Sequence, residues 1–150
     1  MLYVASDHAG FKRKQELLKA LEKAGHKAKD LGPHELVPGD DYPLYGLKVA
    51  EKVANGGRSD RGLLICDSGI GMDIVANKVK GVRAALVDSA WQTERARAHN
   101  DANVIVLGAE TLDKDASLKL VELFLKTPFS EAERHERRIG EISDYESHRD

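Results

Sequence analysis

Apolar residues in this chain gather in short dense runs, separated by longer stretches where they recur every three or four positions. Four runs rich in Leu, Val and Ile stand out: LYVAS (2–6), GLLIC (62–66), VRAALV (82–87) and NVIVLG (103–108). Such short, nearly continuous runs fit strands buried on both faces. HKAKDLG (26–32) is weaker and predicts a strand at a sheet edge. Between the runs, Phe11, Leu18, Leu21 and Ala24 fall on one helical face, and Gly25 is placed to end that helix in a left-handed cap. Leu47, Ala50, Val53 and Ala54 form a second stripe that stops at Asn55-Gly56-Gly57. Leu118, Val121 and Leu125 form a third, ending at Thr127-Pro128. Strand and helix in alternation with short connections predict crossover units. The fold class expected is therefore α/β, three-layer and Rossmann-like, with a five-stranded parallel sheet.

In such sheets ligands bind beyond the carboxyl ends of the strands. That rule directs attention to the turns after the first, third and fourth strands, and to the segment running into the fifth. Composition narrows the chemistry from there. The 150 residues predict one domain, and 41% hydrophobic with 32% charged residues is ordinary for a soluble globular protein. A net charge of −2, with no basic stripe among aromatics, argues against a general grip on nucleic acid. The single cysteine leaves no internal disulfide, and no apolar stretch approaches membrane-spanning length. A cytoplasmic protein that does not engage a membrane is expected. No His, Cys or acid cluster has metal-ligand spacing, and HExxH is missing, so neither metal nor cofactor is expected.

The strand ends carry the candidate residues. Asp7 and His8 follow the first strand, where Asp7 serves either chemistry or simply a helix cap. Cys66 ends the third strand, ahead of Asp67-Ser68-Gly69-Ile70-Gly71 and a helix whose first N–H groups lack partners. A helix N-terminus can lower a thiol's pKa below its free value of about 8.5, and the same donors suit a developing enolate oxygen. A lone strand-end cysteine also serves as a small core residue. A dinucleotide loop is a third reading of Gly69 and Gly71, with Asp88 as a ribose-binding acid. Ile74 holds the place of its third glycine, though, and the loop follows the third strand rather than the first. His99 ends a helix before the fifth strand, and Arg134 and Arg138 share a helical face near the C-terminus, placed for solvent or for an anion. His26, His34, His135 and His148 read as structural or surface residues.

Five ordered stretches together resemble the ribose-5-phosphate isomerase type B family, which includes galactose-6-phosphate isomerase. They are ASDHAGF, DDYPLYG (40–46), LLICDSGIGMDIVANKVKGVRAALV (63–87), ARAHNDANVIVLG (96–108) and ERHERRI (133–139). The resemblance spans essentially the whole chain. It implies a metal-free interconversion of aldose and ketose phosphates through an enediolate. Cys66 then matches the proton-transferring base, the loop from Asp67 through Ser68, Gly69 and Ile70 to Gly71 the anion hole, and Ser68 a substrate-contacting hydroxyl. His99 matches the ring-opening acid/base, with Asp7 where its helper is expected. His8, Arg134 and Arg138 match phosphate-binding positions, and Tyr42 and Asn100 sugar-contacting ones. The resemblance further implies a homodimer or homotetramer with sites shared between chains, the segment at about 130–150 packing on a partner subunit. A sugar-phosphate sensor without catalysis is the rival of another class.

Two departures from the family pattern matter most. Relatives usually have glycine where this chain has Asp67, and a phosphate-holding arginine where it has Glu110; Ala132-Glu133 also replaces a usual Gly-Gly. A cation exchanged for an anion weakens phosphate binding. The expectation is a preference moved from ribose 5-phosphate toward another sugar phosphate or a free sugar.

Overall fold

The computed structural model describes residues 1–148; Arg149 and Asp150, the end of the C-terminal segment, lie outside the described residues. The elements run β1 (Leu2–Ser6), α1 (Phe11–Lys23), β2 (Ala28–Asp30), α2 (Tyr42–Ala54), β3 (Arg61–Cys66), α3 (Ile70–Ala76), β4 (Ala84–Leu86), α4 (Ala90–Ala98), β5 (Val104–Gly108), α5 (Lys114–Lys126) and α6 (Glu133–Ser147). All five strands pair in parallel, in the order β2-β1-β3-β5-β4. The weak second run is an edge strand, as its polarity predicts. β4, at the other edge, is shorter than its apolar run.

Alternation within the strands builds two cores. Leu63, Ile65, Ile105 and Leu107 pack with Leu17 and Leu21 of α1, Ala96 of α4 and Phe124 of α5. Leu64, Cys66, Val104 and Val106 turn the other way, onto Val49 and Val53 of α2 and Met72 and Ala76 of α3. Successive side chains on opposite faces, each covered by helices, explain why these runs read as continuously apolar.

The helices lie where the periodicity put them, but their buried stripes are rotated. α1 buries Lys14, Leu17 and Leu21, whereas Ala24 is exposed. α2 buries Gly46, Val49, Ala50 and Val53, with Leu47 turned outward. α5 buries Ser117, Leu120, Val121 and Phe124. Adjacent apolar residues leave the rotation open, and tertiary contact decides it. At Gly10 a Cβ would stand 2.4 Å from the Ile65 carbonyl oxygen, so only glycine lets α1 start this close to β3. That approach turns Lys14 inward, and burial of its ammonium is compensated by Asp30 Oδ2 at 2.6 Å and the Pro33 carbonyl at 2.8 Å. Gly25 takes a positive φ of 83° past the end of α1, as predicted.

Candidate active site

The chain leaves β1 toward one side of the sheet and leaves β3 toward the other, so a crevice opens between their carboxyl ends. Ser6 pairs with Ile65, which brings Asp7 and Cys66 out side by side. Asp7 is buried and its Oδ1 accepts the Gly10 N–H at 2.9 Å, which holds the turn before α1. The N-cap of α1 is Gly10 and has no side-chain cap, so Asp7 is not the helix cap of the alternative reading. Burial pushes its carboxyl above the ordinary range, against the opposing pull of the Gly10 amide.

Cys66 is only 5% exposed, yet its Sγ accepts the Gly69 N–H at 3.1 Å, and the Met72 N–H is also directed at it. The turn depends on Gly69. Its φ is +84°, and a Cβ there would come within 2.3 Å of Leu86 Cδ1. The sulfur thus sits among first-turn amides that the helix itself leaves without partners. These amides do not produce the lowered thiol expected from the sequence. Burial raises the thiol's pKa, and the carboxylates of Asp7 and Asp67 add to that, outweighing the Met72 and Gly69 hydrogen bonds. The chain by itself holds Cys66 as a thiol.

Around this sulfur lie Asp67 and Ser68, both exposed, and Ile70, whose N–H reaches the Ser68 hydroxyl at 3.3 Å. The Tyr42 ring packs against Gly71, where a Cβ would be 2.8 Å from it. His8 sits at the mouth, its Nδ1 2.7 Å from Asp40 Oδ1. Glu110 reaches the same rim, because its N–H donates to the Asp67 carbonyl at 3.1 Å, beside the Ala109 N–H bond to the Cys66 carbonyl at 2.8 Å. Arg13 approaches this turn, but its guanidinium is engaged by the Leu112 carbonyl, the Ser117 hydroxyl and the Ala109 carbonyl.

The remaining predicted residues lie elsewhere. β5 starts at Val104, opposite Gly62, four residues of strand short of Cys66, or about 13 Å. The segment running into β5 is therefore at the amino edge of the sheet, and its inclusion among the carboxyl-end positions is corrected: in a parallel sheet the residues before a strand sit opposite those after it. His99 and Asn100 occupy that far edge, together with Arg134 and Arg138 at the start of α6. Among the described residues of one chain, nothing brings His99 to Asp7 or Cys66.

This second group is organised in its own right. His99 stacks on His135 with ring centroids 4.2 Å apart, and Arg95 lies 3.1 Å from its Nε2. Desolvation first, then Arg95, Arg134 and Arg138, push its pKa below the usual histidine value, so the ring is neutral near pH 7. His135 is buried and its Nδ1 lies 2.8 Å from the Ser130 hydroxyl. Sequence reasoning gave no role to Asp40, Arg95 or His135. Arg95 stands four residues before His99 on one helical face, a readable signal. Asp40, next to the N-cap Asp41, reads only as a helix start, and nothing marks His135 as a ring for His99 to stack on.

Among the described residues no cluster of His, Cys, Asp and Glu could hold a metal ion, and no helix is long and apolar enough to cross a membrane.

Comparison with known proteins bears on both groups. Residues 2–142 match the sequence profile described as Ribose/Galactose Isomerase. A ribose-5-phosphate isomerase B from Mycolicibacterium paratuberculosis is 39% identical over 145 residues, covering 97% of this chain and 91% of that protein. The crystal structure of ribose-5-phosphate isomerase B from Mycoplasma genitalium with bound ribulose-5-phosphate superposes with a TM-score of 0.94 at 40% identity, over 99% of this chain and 97% of that one. The type B ribose 5-phosphate isomerase of Trypanosoma brucei gives 0.90 at 39% identity, over 96% and 97%.

Proposed function

The chain belongs to the Ribose/Galactose Isomerase family, and from that premise we propose that it is an aldose–ketose isomerase acting on ribose 5-phosphate or a closely related sugar phosphate. The observation that carries the reading is Cys66, a strand-end sulfur ringed by the amides of Gly69 and Met72 at the crevice between β1 and β3. The relative solved with ribulose-5-phosphate supports a phosphorylated sugar as ligand.

The chemistry follows from what such a site must do. Opening a cyclic aldose takes a proton to the ring oxygen and one from the anomeric hydroxyl. His99 is neutral near pH 7 and can relay both. Cys66, as thiolate, then takes the proton from C2, and the electron pair forms an enediolate whose oxygen meets the amides of the Asp67–Gly71 turn. Returning the proton to C1, as the C2 hydroxyl proton passes to O1, gives the ketose and restores the thiolate, so the cycle consumes no co-reactant. Ser68 and Tyr42 contact sugar hydroxyls, as does Asn100, and His8 with Arg134 and Arg138 holds the phosphate.

Cys66 and His99 lie at opposite sheet edges of one chain, so this mechanism needs a second copy. In a symmetric dimer each site takes Cys66, Asp7 and His8 from one chain and His99, Asn100, Arg134 and Arg138 from the other. The surface supports such a partner: Trp91, Leu86 and Ile142 expose apolar area around one concavity between β4, α4 and α6, and α6 buries only His135 among its described residues. The arginines delivered this way also supply positive charge near a thiol that the isolated chain keeps protonated.

The test is a coupled assay for ketose formation from ribose 5-phosphate and a panel of phosphorylated and free pentoses and hexoses. The wild type is expected to turn over a phosphorylated aldose, and Cys66→Ala to lose at least about a hundredfold in kcat. Equal turnover by Cys66→Ala would refute the base assignment. Saturable binding without ketose would favour a sensor.

A further inference from the structure

The Cys66 half of the site is lined by acids. Asp7, Asp67 and Glu110 stand at the ends of β1, β3 and β5, and Asp40 lies behind them on the loop before α2. With Arg13 engaged by its own carbonyls and hydroxyl, His8 is the group at this rim, among the described residues, that can carry a positive charge to a phosphate. Its surroundings are specific. Asp40 Oδ1 receives both the His8 backbone N–H at 2.9 Å and the ring Nδ1 at 2.7 Å. The Asp40 side chain is 5% exposed, whereas that of His8 is 43% exposed. One carboxylate oxygen thus fixes the β1–α1 turn and the imidazole together through Nδ1, and leaves Nε2 clear of Asp40 on a half-exposed ring.

We propose that Asp40 is a positioning residue that keeps His8 protonated and its Nε2–H aimed at the substrate's phosphate, so that phosphate binding weakens as His8 loses its proton. The inference rests on the isomerase reading for its substrate, but the His8–Asp40 pair is a property of the free protein. A carboxylate buried this deeply needs a compensating charge, and a protonated imidazole within 2.7 Å supplies it. Asp40 raises His8's pKa first by that hydrogen bond, and the carboxylates of Asp7, Asp40 and Asp67 that face it add to the effect against partial desolvation. The sign follows. His8 stays charged above the pH at which a free histidine would discharge, and the contact is lost as pH rises through its raised pKa. Glu110 stands on the same rim and the Arg13 guanidinium is engaged by Leu112, Ser117 and Ala109, so compensation for that loss falls to the partner's arginines.

Asp40→Asn tests this because the amide oxygen keeps the acceptor for His8 and removes the charge, with an NH2 in place of the buried Oδ2. An NMR titration of the His8 ring in the free protein should show its midpoint fall toward the ordinary histidine value once the Asp40 charge is gone. The KM for ribose 5-phosphate of the variant relative to wild type should be near unity at acid pH, where both forms of His8 are charged, and should climb severalfold as pH rises and the variant's ring discharges first, with kcat nearly unchanged. For unphosphorylated ribose the ratio should stay flat. An unchanged His8 midpoint overturns the proposal whether or not the protein is an isomerase, and so does a KM ratio that does not vary with pH. Should Asp40→Asn fail to fold, His8→Gln decides: it must abolish the rise of wild-type KM above about pH 7, and persistence of that rise refutes the proposal. Lack of ketose from every sugar in the panel defeats the isomerase reading alone, since the His8 titration still reports on Asp40.

Discussion

At the scale of single residues, the site's unusual feature is charge. The Glu110 N–H donates to the Asp67 carbonyl, so the two side chains that depart from the family pattern are neighbours on one rim. Both are exposed, so substitution of either is expected to cost little in folding and to act on the proposed substrate. An anion on the phosphate's path weakens binding of a dianionic group and leaves a neutral sugar unaffected. We therefore expect Glu110→Arg to lower the KM for ribose 5-phosphate by about tenfold, the size of one charge-assisted contact, with no gain on unphosphorylated ribose. The check is KM for both sugars at one pH and ionic strength. If the variant loses activity on ribose 5-phosphate and the wild type is already fully efficient on it, the shifted preference is wrong. Much at this scale was legible in the chain, because Cys66, Asp67 and Ser68 are contiguous and their strand-to-helix turn has a glycine signature. Asp40 was not. Its partner His8 lies 32 positions away, and only the folded loop joins them.

At the scale of elements, the proposed chemistry rests on the turn from β3 into α3, which brings the Gly69 amide to the sulfur. Two glycines with nearly equal φ allow strain and geometry to be separated. At Gly25, with φ +83°, an added Cβ would meet nothing within 4 Å, whereas at Gly69, with φ +84°, it would run into Leu86 and stand 3.2 Å from the Leu107 carbonyl carbon. Gly25→Ala should cost about 1 kcal/mol, the backbone strain alone, and leave kcat intact. Gly69→Ala should cost about 2 kcal/mol or more and lower kcat at least tenfold as the Gly69 amide leaves Cys66 Sγ. Denaturant melts and kcat of the two variants check this, and equal kcat in both would remove the turn from the mechanism. The strands and the helices α1, α2 and α5 were readable from apolar spacing, whereas α3, α4 and α6 were marked only by a glycine turn, a polar cluster and a charge run. Rotation was not: pairs such as Leu17-Leu18 and Leu120-Val121 satisfy two stripes equally, and contacts far along the chain, such as Gly10 against Ile65, choose between them.

At the scale of the whole molecule, strand direction separates what the motifs seem to join. HNDANVIVLG is continuous in sequence, yet a parallel β5 places His99 one strand length from Cys66. Apolar spacing could show a five-stranded parallel sheet; it could not show at which end of that sheet each motif would lie. If each site borrows His99 from a second copy, two inactive variants should rescue one another. In a dimer of Cys66→Ala with His99→Asn, one site carries both lesions and the other carries neither. Random exchange of equal amounts makes half of the dimers mixed, each with one intact site of two, so activity should return to about a quarter of wild type. The experiment is to mix the purified variants, exchange subunits under mild denaturant, dilute and assay. A mixture no more active than its parents would mean that each chain completes its own site, and a chain that must join Cys66 to its own His99 would have to refold β5 out of register with β3.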